Sequence, residues 1–314
     1  MKAHKVPATY YASWNIPGTK ESFYVFYKSH LDKEGISKRY REVDKITQEH
    51  SFFMADDFYY LDIAKTPGLI YKLKNEIEEF LKNNTYSIKY QDSYIKDFDN
   101  FKDNFENIDS WAIVDTTGTT IANETFKNEL NTDLSNKIRT IIEDKYFARE
   151  LEQKWNTIKA EIENPRNTGD DFCLTHKKDF LEFFVIQYCR LDDIMKEYIE
   201  PILDKCKKAL SSMGLEESDL NNLEDDGLLA FEPYFYGFLL DAARGDKQRL
   251  QKYMDSIEKS YIIDLLKAES GISFITSTTP CVVTKIDGAF KSEMLFPITP
   301  QYCIRFVGKV NNNL

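Results

Sequence analysis

One helix without a polar face constrains the fold of this 314-residue chain more than any other sequence feature. Its centre, residues 180–186, is apolar except for Glu182. A helix with one apolar stripe lies on the surface of a domain, whereas a helix that is apolar nearly all round is buried on several sides. We therefore expect this helix, predicted over 175–199, to lie at the centre of the fold.

The middle of the chain is predicted to be largely helical. Apolar side chains recur at helical spacing in four further stretches: 66–84, 134–163, 228–243 and 246–268. In the longest stretch the repeat consists of Leu134, Ile138, Ile141, Leu151, Trp155, Ile158 and Ile162.

Segments rich in β-branched and aromatic residues lie mainly toward the two ends of the chain, which predicts strands there. They are 22–27, 58–62, 86–90, 111–114, 272–276, 281–284 and 302–307. The combined pattern predicts an α+β fold in one domain, 1–314. We expect a mainly helical middle and a small antiparallel sheet formed by N- and C-terminal strands.

Charge and hydropathy exclude several classes of protein. The chain has 41 Lys and Arg against 52 Asp and Glu, a net charge of −11, which argues against a general coat for duplex DNA. No apolar run approaches the ~20 residues of a membrane span, and the N-terminus lacks the apolar segment of a secretory signal. We therefore predict a cytoplasmic protein without a membrane partner.

Cofactor motifs do not emerge from the sequence. The five cysteines are odd in number and contain no CxxC pair, which favours reduced thiols over a disulfide frame or a zinc site. Cys173 and His176 form a lone CxxH pair, which is weak evidence for zinc. The phosphate-loop patterns and the esterase GxSxG elbow are missing. No metal site is predicted, and the cofactor stays unknown.

Gln187 and Arg190 are the polar residues of most interest on the apolar helix. Their i, i+3 spacing places them on one face. A buried guanidinium needs a partner, because leaving it unpaired costs several kcal/mol. One interpretation is an internal salt bridge, for example to Asp193. The other is an arginine that holds an anionic substrate, with Gln187 orienting it.

Glu152 is a second candidate, at the edge of the apolar stripe of helix 134–163. A carboxylate in such a place can act as a general base with a raised pKa. It can equally be an ordinary flanking charge, like its neighbour Glu150.

Four stretches, taken in order, resemble the proteins grouped as domain of unknown function 4238. They are an H-x-V-P-x-x-Y opening from His4 to Tyr10, a glutamate-containing helix over 147–152, a Q-x-x-R helix over 181–190, and T-S-x-x-P and F-P-x-x-P segments at 276–280 and 296–300.

The resemblance implies one domain over nearly the whole chain. Residues about 85–130 have no counterpart in the family pattern, and we interpret them as an insertion. Thr278-Thr279 stands where the family pattern has Asp-Asn. If that aspartate is catalytic or binds metal, this protein has lost it or uses a hydroxyl. If it makes only a turn hydrogen bond, threonine can replace it in part.

By family-level analogy, the polar motif residues are typical of a hydrolytic or phosphodiester-cleaving site in a defence-associated bacterial or phage protein. The first hypothesis is therefore a nuclease-like hydrolase acting on nucleic acid or nucleotides. His4 would be the general acid or base, Glu152 would orient or activate, and Gln187 and Arg190 would hold the anion.

In this hypothesis the substrate also contacts Tyr10, Ser277 and Thr278. The alternative hypothesis is a non-enzymatic interaction or regulatory protein with a protein partner. In that case His4, Gln187 and Arg190 form a structural hydrogen-bond network between the N-terminal segment and the central helix.

Overall fold

The fold comes from a computed structural model that describes residues 2–4, 8–15, 22–25, 44–47, 54–56, 61–64, 66–164, 174–189, 204–216, 231–276, 281–285 and 292–309. Its α-helices are α1 (Ala8–Tyr11), α2 (Lys74–Asn83), α3 (Phe98–Asn104), α4 (Asn123–Arg139), α5 (Glu152–Ile162), α6 (Lys177–Cys189), α7 (Phe231–Ala243) and α8 (Gln248–Ser260). Residues 204–212 are also helical.

Shorter helices and strands complete the elements. The 3-10 helices are Ala12–Trp14, Pro67–Leu73 and Phe105–Ser110, and a π-helix covers Thr140–Leu151. The strands are β1 (Lys2–His4), β2 (Ser22–Val25), β3 (Asp44–Thr47), β4 (Met54–Asp56), β5 (Ser87–Tyr90), β6 (Ser93–Tyr94), β7 (Ala112–Val114), β8 (Tyr261–Lys267), β9 (Val282–Lys285), β10 (Ser292–Pro297) and β11 (Tyr302–Gly308).

The α+β class is confirmed, but the sheets are arranged differently from the prediction. Among the described strands, β1 pairs with β4, β2 with β3, and β5 lies between β6 and β7. The four C-terminal strands form their own antiparallel sheet in the order β8-β11-β10-β9. The predicted sheet shared by N- and C-terminal strands is therefore wrong, because the strands of each end pair among themselves.

The chain divides into two compact units. Unit 1 consists of Met1, Tyr59–Tyr146 and Asp192–Arg249, and unit 2 of Lys2–Phe58, Phe147–Leu191 and Leu250–Leu314. Both units are built from segments that are distant in the sequence. The single domain over 1–314 and the insertion at about 85–130 stay predictions.

The predicted central helix is the centre of unit 2. The side chains of α6 are buried from Phe180 to Gln187. Phe184 stacks on Phe306 of β11, with ring centroids 4.4 Å apart, and meets the ring of Phe296 of β10 edge-on at 5.3 Å. One side of α6 is thus covered by the C-terminal sheet, as expected for a helix without a polar face.

The long helix predicted over 134–163 begins earlier and changes its period. It starts at Asn123 with α4, widens into the π-helix and continues as α5. In the π-helix Ile142 is fully buried, whereas Ile141 is only half-buried. The predicted core position of Ile141 is therefore wrong, because i→i+5 hydrogen bonding turns the apolar stripe by one residue.

Aromatic packing and ion pairs hold unit 1 together. The ring of Phe126 on α4 contacts Phe80 of α2 at 5.7 Å and Trp111 at 6.0 Å. Asp241 on α7 accepts from Lys72 Nζ at 2.6 Å and from an Arg249 guanidinium nitrogen at 2.5 Å. The Lys72 pair ties α7 to the 3-10 helix that precedes α2, and the Arg249 pair ties α7 to the first turn of α8.

Two predicted elements in the C-terminal part of the chain need correction. The helix predicted over 246–268 ends at Ser260, and Tyr261–Lys267 forms β8, because this β-branched segment pairs along its whole length with β11. Residues 272–276 are not a strand, although the Phe274 N–H donates to the Pro300 carbonyl.

The segment predicted as a strand over 58–62 lies partly outside the described residues. Its described part, residues 61–62, is not a strand. The Leu61 N–H donates to Ser135 Oγ at 2.9 Å, and the next alternate N–H, of Ile63, donates to Asn131 Oδ1 at 3.1 Å. Because these donors bind side chains of α4, they are not available to a neighbouring strand.

We predict that Phe184→Ala lowers the free energy of unfolding by about 3–5 kcal/mol, because it leaves a cavity between α6 and the C-terminal sheet. Urea denaturation measures the loss. Ile262→Ala, at a side chain of the same unit that is 52% exposed, is the control and should cost well under half as much. Equal losses in the two variants would contradict the central place of α6.

Candidate functional site

Tyr10 joins the N-terminal segment to the C-terminal sheet within unit 2. Its side chain is fully buried. The hydroxyl donates to the Pro297 carbonyl oxygen at the end of β10, and it lies 3.0 Å from Thr276 Oγ1. One phenol can donate once and accept as well, so both bonds are satisfied if Thr276 donates. The two ends of the chain therefore meet through side chains rather than through a shared sheet.

Aromatic rings surround this hydroxyl contact. The ring of Tyr10 lies 5.1 Å from Trp14, 5.7 Å from Trp155 on α5 and 5.5 Å from Phe296 on β10. Trp14 Nε1 donates to the Phe274 carbonyl oxygen at 3.4 Å. Residues of the first and fourth motif stretches thus contact each other directly.

Burial makes the polar groups of this cluster poor acids. Burial raises the pKa of Tyr10 well above 10, against the lowering effect of the Thr276 hydrogen bond. The buried free thiols Cys281 and Cys303 both have the pKa raised to about 12 by burial. Groups of this kind stay neutral near pH 7, so they support packing rather than proton transfer or thiolate chemistry.

Helices α5 and α6 run antiparallel, and their register is fixed at several points. Glu161 near the end of α5 accepts from the His176 backbone N–H at 3.1 Å, just before α6 begins. One to two turns along the pair, Trp155 stacks on Phe183 with ring centroids 4.3 Å apart. The six-residue step from Glu161 back to Trp155 on α5 therefore matches the seven-residue step from His176 forward to Phe183 on α6.

The same register brings two predicted site residues to one level. Glu152 lies three residues before Trp155, and an equal step beyond Phe183 on α6 reaches Ile186 and Gln187. Gln187 is 1% exposed, whereas Glu152, the first residue of α5, is half-buried. The glutamate is thus the more accessible of the two.

An ion-pair cluster between α5 and α6 is a feature that the sequence analysis missed. Lys154 Nζ lies 2.8 Å from Asp179 Oδ1 and 3.6 Å from Oε2 of the buried Glu182. Partial burial lowers the pKa of Lys154, but the two carboxylates outweigh it and the pKa is raised. The sequence signal was Glu182 itself, a carboxylate inside an apolar run, which requires a partner.

The remaining predicted site residues are described in part or not at all. His4 contributes its backbone to β1, where it pairs with Met54. Arg190, Ser277 and Thr278 lie outside the described residues. The convergence of His4, Glu152, Gln187 and Arg190 near 277–280, and the substrate contacts of Tyr10, Ser277 and Thr278, therefore stay predictions.

The family model for proteins of unknown function DUF4238 matches residues 2–309. The chain belongs to this family. No curated protein and no solved structure matches the chain. The resemblance that the four stretches indicated is therefore confirmed at the level of the family, and the matched range extends over both units of this DUF4238 protein.

Within the described ranges, no group of three or more His, Cys, Asp and Glu side chains is arranged to hold a metal ion. Among the helices of that same part of the chain, none is long and apolar enough to cross a membrane.

We predict that Tyr10→Phe lowers the free energy of unfolding of the DUF4238 protein by about 1–3 kcal/mol. The ring remains, but the buried Pro297 carbonyl loses its hydroxyl donor. Chemical denaturation of Tyr10→Phe, Thr276→Val and the double variant measures the coupling between the two hydroxyls. Strictly additive effects would show that the Tyr10–Thr276 hydrogen bond does not contribute.

The raised pKa of Tyr10 also predicts alkaline sensitivity. Above pH 10 the unfolded state releases the phenol proton while the folded state keeps it, so stability falls as the pH rises, by up to about 1.4 kcal/mol per unit. Below pH 10 this contribution is fully present. Unfolding titrations from pH 8 to 11 should show a steeper alkaline decline for the wild type than for Tyr10→Phe, and parallel declines would contradict it.

Proposed function

We propose that this protein is a cytoplasmic hydrolase that cleaves nucleic acid or a nucleotide, in a defence-associated role. The observation that supports the proposal is the register of α5 and α6, which sets Glu152 level with Gln187. Arg190 is the third residue after Gln187 in the sequence. A carboxylate and a guanidinium are residue types that together suit the hydrolysis of a phosphate ester.

The π-helix gives Glu152 a distinctive setting. The glutamate follows directly on Thr140–Leu151, and π-helical turns occur frequently at functional sites. Its position is half-buried rather than fully exposed, which is suitable for a carboxylate that must reach a substrate and also be held in place.

In the proposed reaction a water oxygen attacks the phosphorus atom and the bond to the leaving oxygen breaks. Glu152 accepts the proton of the attacking water, and His4 donates a proton to the leaving oxygen. Arg190 binds two non-bridging phosphate oxygens and stabilises their charge. The Tyr10–Thr276 contact fixes the position of Thr276, and the substrate binds to the two residues that follow it, Ser277 and Thr278.

Glu152→Gln is the decisive variant, because it removes the base while it keeps the size of the side chain. We expect about a 10²- to 10⁴-fold loss of phosphodiester cleavage with an unchanged melting temperature. Cleavage of labelled RNA and single-stranded DNA by the purified protein measures it. The matched control is Glu150→Gln, at an exposed glutamate two residues earlier, which should retain activity. A wild type that cleaves neither substrate overturns the proposal.

The second candidate function is that of an interaction or regulatory protein with a protein partner. The burial of Tyr10 and Gln187 favours it, because buried polar side chains typically serve as hydrogen-bonding groups of the fold. In this case the polar motif residues form a structural network, and their loss lowers stability rather than activity.

Arg190→Ala separates the two functions. An interaction protein with a structural network should lose several kcal/mol of stability, because a buried partner is left unpaired. A hydrolase should keep its melting temperature and lose cleavage. Thermal melts and cleavage assays on the same preparation of Arg190→Ala give both quantities.

A further inference from the structure

A hairpin in unit 1 presents an exposed tyrosine between two lysines. Strands β5 and β6 pair so that Lys89 lies directly opposite Tyr94. Lys89 Nζ lies 4.3 Å from the centre of the Tyr94 ring, and Lys96 Nζ lies 4.5 Å from it. The tyrosine side chain is 43% exposed, so its ring can meet a ligand from solvent.

The two lysines differ from several others in unit 1. Lys74, Lys102, Lys127 and Lys137 each have a carboxylate oxygen within 4 Å. Within the described part of the chain, no carboxylate oxygen comes that close to Nζ of Lys89 or Lys96. In a chain with a net charge of −11, this is a local pair of ammonium groups available to an outside anion.

A second exposed aromatic residue lies near the same helix, α3. Tyr71 is 69% exposed, and Lys102 in the last turn of α3 places Nζ 5.7 Å from its ring centre. At the other end of α3, the Asn100 side-chain amide lies 3.2 Å from the Tyr94 carbonyl oxygen. Asn100 and Lys102 are two residues apart and therefore project from different sides of α3, so these contacts do not place Tyr71 beside Tyr94.

We propose that Tyr94, Lys89 and Lys96 form a contact strip for single-stranded nucleic acid. Exposed aromatic rings stack on unpaired bases of any sequence, and neighbouring lysines bind the phosphates. An acidic protein segment would use the ammonium groups but would not need the exposed ring between them. The inference deepens the proposed function by naming its substrate class, and it rests on that function only for the cleavage, not for the binding.

Salt dependence tests the role of the lysines. The probe is a short fluorescein-labelled oligouridine, and fluorescence anisotropy with the full chain gives its affinity across a range of salt concentrations. The logarithm of the association constant falls as the logarithm of the salt concentration rises. Removing two phosphate contacts should make this slope less steep by about 1.4. We expect this change for Lys89→Gln/Lys96→Gln. The control Lys82→Gln/Lys145→Gln removes the same charge at two exposed lysines elsewhere and should keep the slope.

Substitution of Tyr94 tests the role of the ring. Tyr94→Ala should weaken oligouridine binding by about 5- to 150-fold, whereas Tyr94→Phe keeps the stacking surface and should bind within a few-fold of the wild type. Undetectable binding by the wild type, or a Tyr94→Ala variant that binds as tightly as Tyr94→Phe, overturns the proposal. The proposal is also overturned if unlabelled polyglutamate displaces the labelled oligouridine as well as unlabelled oligouridine does.

The outcome for the strip can be told apart from the outcome for the hydrolase. If both proposals hold, Glu152→Gln binds the oligouridine like the wild type and does not cleave it. Binding without cleavage by the wild type supports the strip and overturns the hydrolase. Cleavage that is insensitive to Tyr94→Ala and to Lys89→Gln/Lys96→Gln overturns the strip and leaves the hydrolase standing.

Discussion

The packing around Phe184 is the constraint on which unit 2 depends. A helix that is apolar on nearly every side must be covered by several elements, and α6 finds them in different parts of the sequence. Phe184 meets the C-terminal sheet through Phe306, and Phe183 meets α5 through Trp155. The Tyr10 ring contacts Trp155 in turn, so α1 and the C-terminal strands are held at positions that this packing determines.

Periodicity predicted the helices of this core well and the boundaries between helix and strand poorly. Tyr261 and Leu265 continue the helical spacing of α8, yet they lie in β8, because pairing with β11 satisfies the whole segment. Such pairing joins residues about 40 apart and leaves no local signal. Ile141 and Ile142 show the same limit on a smaller scale, since a π-helix shifts the buried face without a change in composition.

The candidate site was predictable in its residue types but not in its contacts. The motif spacing indicated that Tyr10 matters, but only the fold shows that its hydroxyl bonds to Thr276 and Pro297. Glu182 could be singled out as a carboxylate in an apolar run. Its partner Lys154 could not, because the pair depends on the relative register of two helices.

Burial divides the polar motif residues of unit 2 into two groups with different physical roles. A fully buried hydroxyl such as that of Tyr10 is more stable neutral, so it contributes a directional bond to the fold. A half-buried position keeps contact with solvent, and a ligand can replace that solvent. Glu152 and Thr276 belong to this second group. Chemistry in this family member is therefore expected at the half-buried positions, beside Glu152 and after Thr276, rather than among the fully buried side chains.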